Sequence, residues 1–156
     1  MRAPPSARLL DAPCTASGTV RRHPDVKIHR RPEDIHARAA LAFKLLENLW
    51  EHLRPGGRLL YTSCSVFRGE TDEVVRTFLD NHTKEGMLLD PTVPWGRHEP
   101  TGIHNLTGEE GMDGFFYAVL LKTESTPTRA SPNRLATRTP LTDTPEIDGH
   151  RTRPTL

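Results

Sequence analysis

Apolar and polar residues recur along this chain with two different periods, and the changes between them lay out its elements. Arg8-Leu9-Leu10-Asp11 is a short apolar run that reads as a buried strand. From Pro32 the period becomes helical. Proline with Glu33 and Asp34 suits a first turn, and Ala39, Ala42, Phe43, Leu46, Leu49, Trp50 and Leu53 then recur at spacings of three and four. Arg38, Lys44, Glu47, Asn48, Glu51 and His52 fall elsewhere, so the helix lays one apolar face on a sheet and Trp50 belongs to the core rather than to a base stack. Arg54-Pro55-Gly56-Gly57 stops the helix and turns the chain into a second strand over 58–62. A second helix is predicted over 70–81 from Val74, Val75, Phe78 and Leu79, a brief strand over 87–89, and a long strand over 115–121. Residues 91–110 are rich in Pro, Gly and His and show no periodicity, with Trp95 and His98 as candidate substrate contacts.

Strand, loop, helix and strand in this order form a βαβ unit, whose two strands run parallel with their carboxyl ends on one edge. Each of those ends leads into a loop that carries a cysteine. The first loop is Ala12-Pro13-Cys14-Thr15-Ala16-Ser17-Gly18, where Pro13 fixes the backbone and Gly18 permits close approach. The second is Ser63-Cys64-Ser65-Val66. Cys14 and Cys64 then face one crevice, at the edge where open α/β sheets bind ligands. A lone cysteine is usually a small buried apolar residue, so the pair matters more than either member. Cys64 is the leading candidate nucleophile, and a following helix start is expected to help it ionise. Asp11, at a strand end, suits either accepting hydrogen bonds from the amines of a ligand or capping a turn.

Composition bounds the rest. A chain of 156 residues suits one domain, but apolar residues make up only 35 %, and the deficit lies after Lys122, where Thr, Pro, Arg and Ser dominate. The expected organisation is therefore a disordered start over 1–7, a folded part over 8–122 and a disordered tail over 123–156. The net charge is +1, yet Arg21, Arg22, His23, Lys27, His29, Arg30 and Arg31 cluster against the single acid Asp25. That cluster reads either as a site for nucleic-acid phosphates or as a solvated loop. No apolar run approaches the ~20 residues that span a bilayer, and the start lacks a signal-peptide layout, so a cytoplasmic protein without membrane contact is expected. The two cysteines lack metal-knuckle spacing, and in a reducing compartment no disulfide is expected.

Five stretches taken together, Asp11 to Gly18, Arg21-Arg22-His23-Pro24-Asp25, Leu53 to Gly57, Tyr61-Thr62-Ser63-Cys64-Ser65 and Asp113-Gly114-Phe115-Phe116, resemble the RsmB/Nop/Sun family of RNA cytosine 5-methyltransferases. The resemblance runs from about Leu9 to Lys122. It implies an α/β fold, the second half of a Rossmann-like class I methyltransferase sheet, holding its fourth to seventh strands and two helices. It implies S-adenosyl-L-methionine as methyl donor, ribosomal RNA as partner and no metal. Position by position, the family's nucleophile falls on Cys64 and the cysteine that assists product release falls on Cys14. Asp11 lies beside the donor, and Pro13, Arg21, Arg22 and Ser63 lie on the substrate side. Ser63 stands where the family usually has threonine, Ile28-His29 where an aromatic is common, and Arg68-Gly69-Glu70-Thr71 in place of a more acidic run.

The chemistry fits those roles. Carbon 5 of cytosine is a poor nucleophile, but a thiolate added at carbon 6 makes the ring an enamine, and a second group must then remove the carbon 5 proton. The target base must also leave any stack. The family's glycine-rich donor loop, first three strands and N-terminal RNA-binding region have no counterpart here. The chain is therefore expected to be a C-terminal fragment that binds the donor weakly alone, with the missing half as a partner and the strand at 8–11 left as an exposed edge. The main alternative is a non-catalytic RNA-binding remnant or partner subunit. A DNA methyltransferase using Cys14 as nucleophile leaves the second cysteine motif unexplained, and a zinc site from Cys14, His23 and His29 has too few ligands at irregular spacing.

Overall fold

The computed structural model describes residues 3–124. Strand β1 (Ala7–Asp11) pairs in parallel with β2 (Arg58–Ser63), in a register that sets Leu9 against Leu60 and Asp11 against Thr62. Between them lie a single helical turn, α1 (Val26–His29), and the long helix α2 (Pro32–Glu51). The predicted start of α2 holds. Pro32 opens the helix, and the Asp34 carboxylate accepts the Arg31 N–H at 2.9 Å.

A 3-10 turn (Arg68–Glu70) precedes α3 (Asp72–Asn81), so the second helix begins two residues later than its sequence pattern suggests. Strands β3 (Gly86–Leu89), β4 (Arg97–Glu99), β5 (Gly102–Asn105) and β6 (Phe115–Lys122) complete the sheet. Its order is β1-β2-β6-β5-β4, and β3 also pairs with β6. β6 runs antiparallel to β2, β3 and β5. Hence β1, β2 and β3 all point the same way, and the expected α/β sheet forms around an inserted antiparallel strand.

Both long helices cover one face of this sheet. Leu10, Leu59, Tyr61, Phe116, Ala118 and Leu120 project from the strands into a core with Ala42, Leu46 and Trp50 of α2 and Val74, Val75 and Phe78 of α3. Trp50 meets the Phe78 ring edge-on at 5.1 Å. The opposite face is less covered. Leu9 is 62 % exposed there, so the apolar run predicted as a buried strand buries only Leu10 of β1.

Two expectations need correction. Residues 91–110 contain the β4–β5 hairpin, in which Trp95 packs edge-on against Tyr117 of β6 at 5.4 Å while His98 lies exposed on β4. The stretch assigned to a disordered start is tied down from Pro5 onward, because the Pro5 and Ser6 carbonyls accept the Arg54 and Arg58 N–H groups at 3.2 and 2.9 Å. Of the predicted tail, Thr123 is described and bonds to Glu85, whereas residues 125–156 lie outside the described residues. Among the described residues, no helix is long and apolar enough to cross a membrane.

Candidate active site

The parallel pairing of β1 with β2 continues one step beyond Asp11, where the Ala12 N–H donates to the Thr62 carbonyl at 2.8 Å. Both strands then end, and their loops stay side by side. Pro13 adds no donor of its own, and Ala16 turns the first loop by adopting a left-handed conformation, φ 61°. That conformation costs a residue with a Cβ about 1 kcal/mol or more. The loop is pinned at Gly18, whose N–H donates to the Cys64 carbonyl at 2.9 Å and whose carbonyl accepts from Gly114 N–H at 2.9 Å and Thr107 Oγ1 at 2.7 Å. A Cβ at Gly18 would stand 2.1 Å from the Gly114 oxygen, so only glycine lets these three segments cross.

This bracing brings Cys14 and Cys64 together, as the βαβ reading required. Their sulfurs are 3.2 Å apart, both residues are partly exposed, and both are free thiols. The two share a proton unevenly. The thiol of Cys14 is pulled down to about 6, first by the hydrogen bond from Cys64 and then, against burial, by the Ser63 hydroxyl and the Ala16 N–H. Cys64 is pushed up, by the hydrogen bond it gives to Cys14, by burial, and by the negative charges of Cys14 and Asp11. The expected help from a helix start does not reach Cys64, because a 3-10 turn intervenes and α3 begins only at Asp72. The surroundings therefore favour a thiolate at Cys14 over one at Cys64.

The residue that sequence reasoning passed over is Glu70. It is 1 % exposed with no cation in contact among the described residues, and its side chain ties the two cysteine loops to each other. Its carboxylate accepts from Thr15 N at 2.8 Å, Thr15 Oγ1 at 2.7 Å and Ser65 Oγ at 2.5 Å. Thr15 follows Cys14 and Ser65 follows Cys64, so one carboxylate holds the neighbours of both sulfurs. The network runs back through Ser17 Oγ, which lies 3.1 Å from Ser65 Oγ and accepts the Val66 N–H at 3.0 Å. Tyr61 completes it by donating to the Glu70 carbonyl at 2.7 Å. Nothing local distinguishes this acid from the solvated acids around it, and its role follows only from its burial.

The other predicted site residues are dispersed around the pair. Asp11 is exposed at the end of β1, with one carboxylate oxygen accepting from Thr62 Oγ1 at 3.2 Å and its charge felt by Cys64. Pro13 is half-buried beside Cys14, and Ser63 is fully buried, its hydroxyl lacking a well-aligned partner. Arg22 donates through Nε to Asp113 at 2.6 Å and again through its terminal nitrogen, and Arg21 donates to the Gly111 carbonyl. Arg30 Nε donates to the Thr15 carbonyl at 2.9 Å. Arg21 and Arg22 thus fasten the segment after the Cys14 loop to the turn before β6, Arg30 holds the loop itself, and Lys27 is left exposed with Phe67 in a cleft of about 400 Å³ that Thr15, Val26 and Val66 also line. Cys14, His23 and His29 do not converge, and among the described residues no three His, Cys, Asp or Glu side chains come together as metal ligands do.

Residues 7–121 match the family model described as 16S rRNA methyltransferase RsmB/F. The Xanthomonas campestris protein named ribosomal RNA small subunit methyltransferase B is 47 % identical over 119 residues, which are 76 % of this chain and 27 % of that protein. The protein of the same name from Cronobacter sakazakii is 49 % identical over 114 residues, 73 % of this chain and 25 % of that one. This chain therefore spans about a quarter of the length of these curated relatives. Among solved structures, NSun6 from Pyrococcus horikoshii with SFG superposes with a TM-score of 0.65 at 26 % identity, covering 74 % of this chain and 29 % of that one. A methyltransferase homologue from the same organism gives a TM-score of 0.61 at 32 % identity, covering 75 % of this chain and 39 % of that one. A sheet that delivers two cysteines to one edge, matched over nearly all of its described length, places this chain in the RsmB/F family of 16S rRNA methyltransferases.

Proposed function

We propose that this chain carries the thiol machinery of an RNA cytosine 5-methyltransferase, with Cys64 as nucleophile and Cys14 as the base beside it. The observation that carries the reading is the 3.2 Å contact between the two sulfurs at the carboxyl ends of adjacent parallel strands. Cys14, the thiol whose surroundings favour ionisation, takes the proton of Cys64 as the Cys64 sulfur adds to carbon 6 of the cytosine. That proton passes on to water or to the ring, and Cys14 is again a thiolate when the carbon 5 proton has to leave. Removing it re-forms the double bond and expels Cys64 as a thiolate. Two sulfurs in contact suit this exchange, since either can hold the proton that the other loses.

The donor suits the residues on the page. S-adenosylmethionine, when bound, supplies the methyl group, and SFG in the Pyrococcus neighbour is an analogue of it. Asp11 is exposed at the end of β1, with one carboxylate oxygen accepting from Thr62, which fits a partner for the cationic donor's amines. Ribosomal RNA of the small subunit is the substrate class carried by the relatives' names. The exposed Lys27 and Phe67, in a cleft next to the cysteine loops, are of the kind that hold a phosphate and stack a neighbouring base.

The test is a denaturation-resistant protein–RNA adduct formed by the full chain with small-subunit RNA and donor. Cys14→Ala should make the adduct accumulate, and Cys64→Ala should abolish it. An adduct that survives Cys64→Ala overturns the assignment of the nucleophile. RNA retained without any adduct in either form favours instead a binding module built on the basic segment.

A further inference from the structure

The two free thiols have a second reactivity, independent of any RNA. A disulfide needs its sulfurs at about 2.05 Å, so the 3.2 Å pair has only about 1.2 Å left to close. The backbones on either side are already fastened, by the Ala12 to Thr62 and Gly18 to Cys64 hydrogen bonds. The closure asked of the two side chains is short, and the loops that carry them are held side by side. Both cysteines are partly exposed, so a small oxidant can reach them.

We propose that Cys14 and Cys64 form a modification site for hydroperoxides, closing into an intramolecular disulfide. In the first step the Cys14 thiolate attacks a peroxide oxygen. The S–O bond forms, the O–O bond breaks, and the alkoxide or hydroxide leaves and takes a proton, so that Cys14 becomes a sulfenic acid. In the second step the Cys64 sulfur attacks the Cys14 sulfur. The S–S bond forms, the S–O bond breaks, and the leaving oxygen departs as water with the proton of Cys64. Two thiols are oxidised, and one hydroperoxide is reduced to an alcohol or water.

The local surroundings set the order of these steps. Contact with Cys64 favours the thiolate at Cys14, whereas burial and the charge of Asp11 disfavour a second anion at Cys64. The attacked sulfur is in contact with its resolving partner. Ring closure therefore has the advantage of proximity over further oxidation of Cys14 to a sulfinic acid, which is not readily reversed. The product masks both sulfurs in one event and is restored by a dithiol.

The experiment needs neither RNA nor donor, so its outcome is independent of the methyltransferase reading. The full 156-residue chain is treated with hydrogen peroxide under native conditions, alkylated, digested and mapped by mass spectrometry. The expected product is one peptide pair cross-linked through Cys14 and Cys64 within a single chain, removed by dithiothreitol, and formed at a rate that rises with pH around 6. Cys64→Ser should stop at a sulfenic acid on Cys14 that dimedone captures. Two intact thiols, separate sulfinic acids without a cross-link, or a disulfide between two chains would each overturn the proposal. So would a Cys14→Ser chain whose Cys64 is oxidised as fast as Cys14 is in Cys64→Ser.

Discussion

Replacing Glu70 by alanine should cost far more than its position in a short 3-10 turn suggests. The carboxylate accepts three donors, from Thr15 N, Thr15 Oγ1 and Ser65 Oγ, at 2.5 to 2.8 Å and in a place where the side chain is 1 % exposed. Hydrogen bonds to a charged group contribute about 1.5–3 kcal/mol each, so the gross loss is on the order of 5–9 kcal/mol. Two effects offset it. The truncation relieves the desolvation of a buried charge with no cation beside it, which costs several kcal/mol in real proteins. The Thr15 and Ser65 hydroxyls can also turn to other acceptors, Ser65 toward Ser17 Oγ at 3.1 Å. The Thr15 N–H has no such freedom. A net destabilisation of about 2–4 kcal/mol is expected for Glu70→Ala, a large fraction of the ~5–15 kcal/mol that holds a domain together.

Glu70→Gln keeps the volume and the acceptor for Thr15 N–H, and both hydroxyls can reverse to accept from its amide, so about 1 kcal/mol is expected. Urea unfolding of the full chain, followed by the fluorescence of the buried Trp50, measures both variants against the wild type. Phenylarsine oxide, which grips two thiols only when they lie close together, reports in parallel whether Cys14 and Cys64 keep their spacing. Glu70→Ala within about 0.5 kcal/mol of wild type, or Gln as damaging as Ala, would refute the clamp, the first value being the range of ordinary surface substitutions.

Three further outcomes follow from the same geometry. Cys14 should alkylate with a midpoint near pH 6 in the native chain, because Cys64 donates to its thiolate; Cys64→Ala removes that donor and should move the midpoint upward, and an unmoved midpoint would show that the contact is not what stabilises the thiolate. Arg22→Ala should lower stability by roughly 1–3 kcal/mol, since Asp113 is buried and loses its charge partner; a change in RNA affinity with no loss of stability would assign Arg22 to substrate instead. Gly18→Ala should destabilise by more than about 3 kcal/mol or prevent folding, because its Cβ meets backbone oxygens at 2.1 and 2.9 Å that cannot step aside; a folded variant with native stability would contradict the crossing of the three segments.

The sequence by itself determined the local elements and the meeting of the two cysteines. The period of α2 and its proline start are properties of neighbouring residues and stand where the pattern put them, whereas the helix ends at Glu51, short of the Arg54-Pro55-Gly56-Gly57 turn predicted to stop it. The βαβ order makes the two strands parallel and so brings their carboxyl ends to one edge, which is why Cys14 and Cys64 could be paired across fifty positions. Only the tertiary structure decided the rest. β4 is three exposed polar residues and β5 a Gly-Ile-His-Asn run buried on both sides, so neither carries an alternation to read. Glu70 and Arg22 look like any solvated charges in the sequence. Their partners, Thr15 and Asp113, stand 55 and 91 positions away, where no local spacing constrains them. The opposite pull on the two thiols also arises only in the fold, because it comes first from their contact with each other and then from burial and the charge of Asp11. Periodicity reports how a segment meets a surface, whereas a buried polar contact depends on which two surfaces the whole chain brings together.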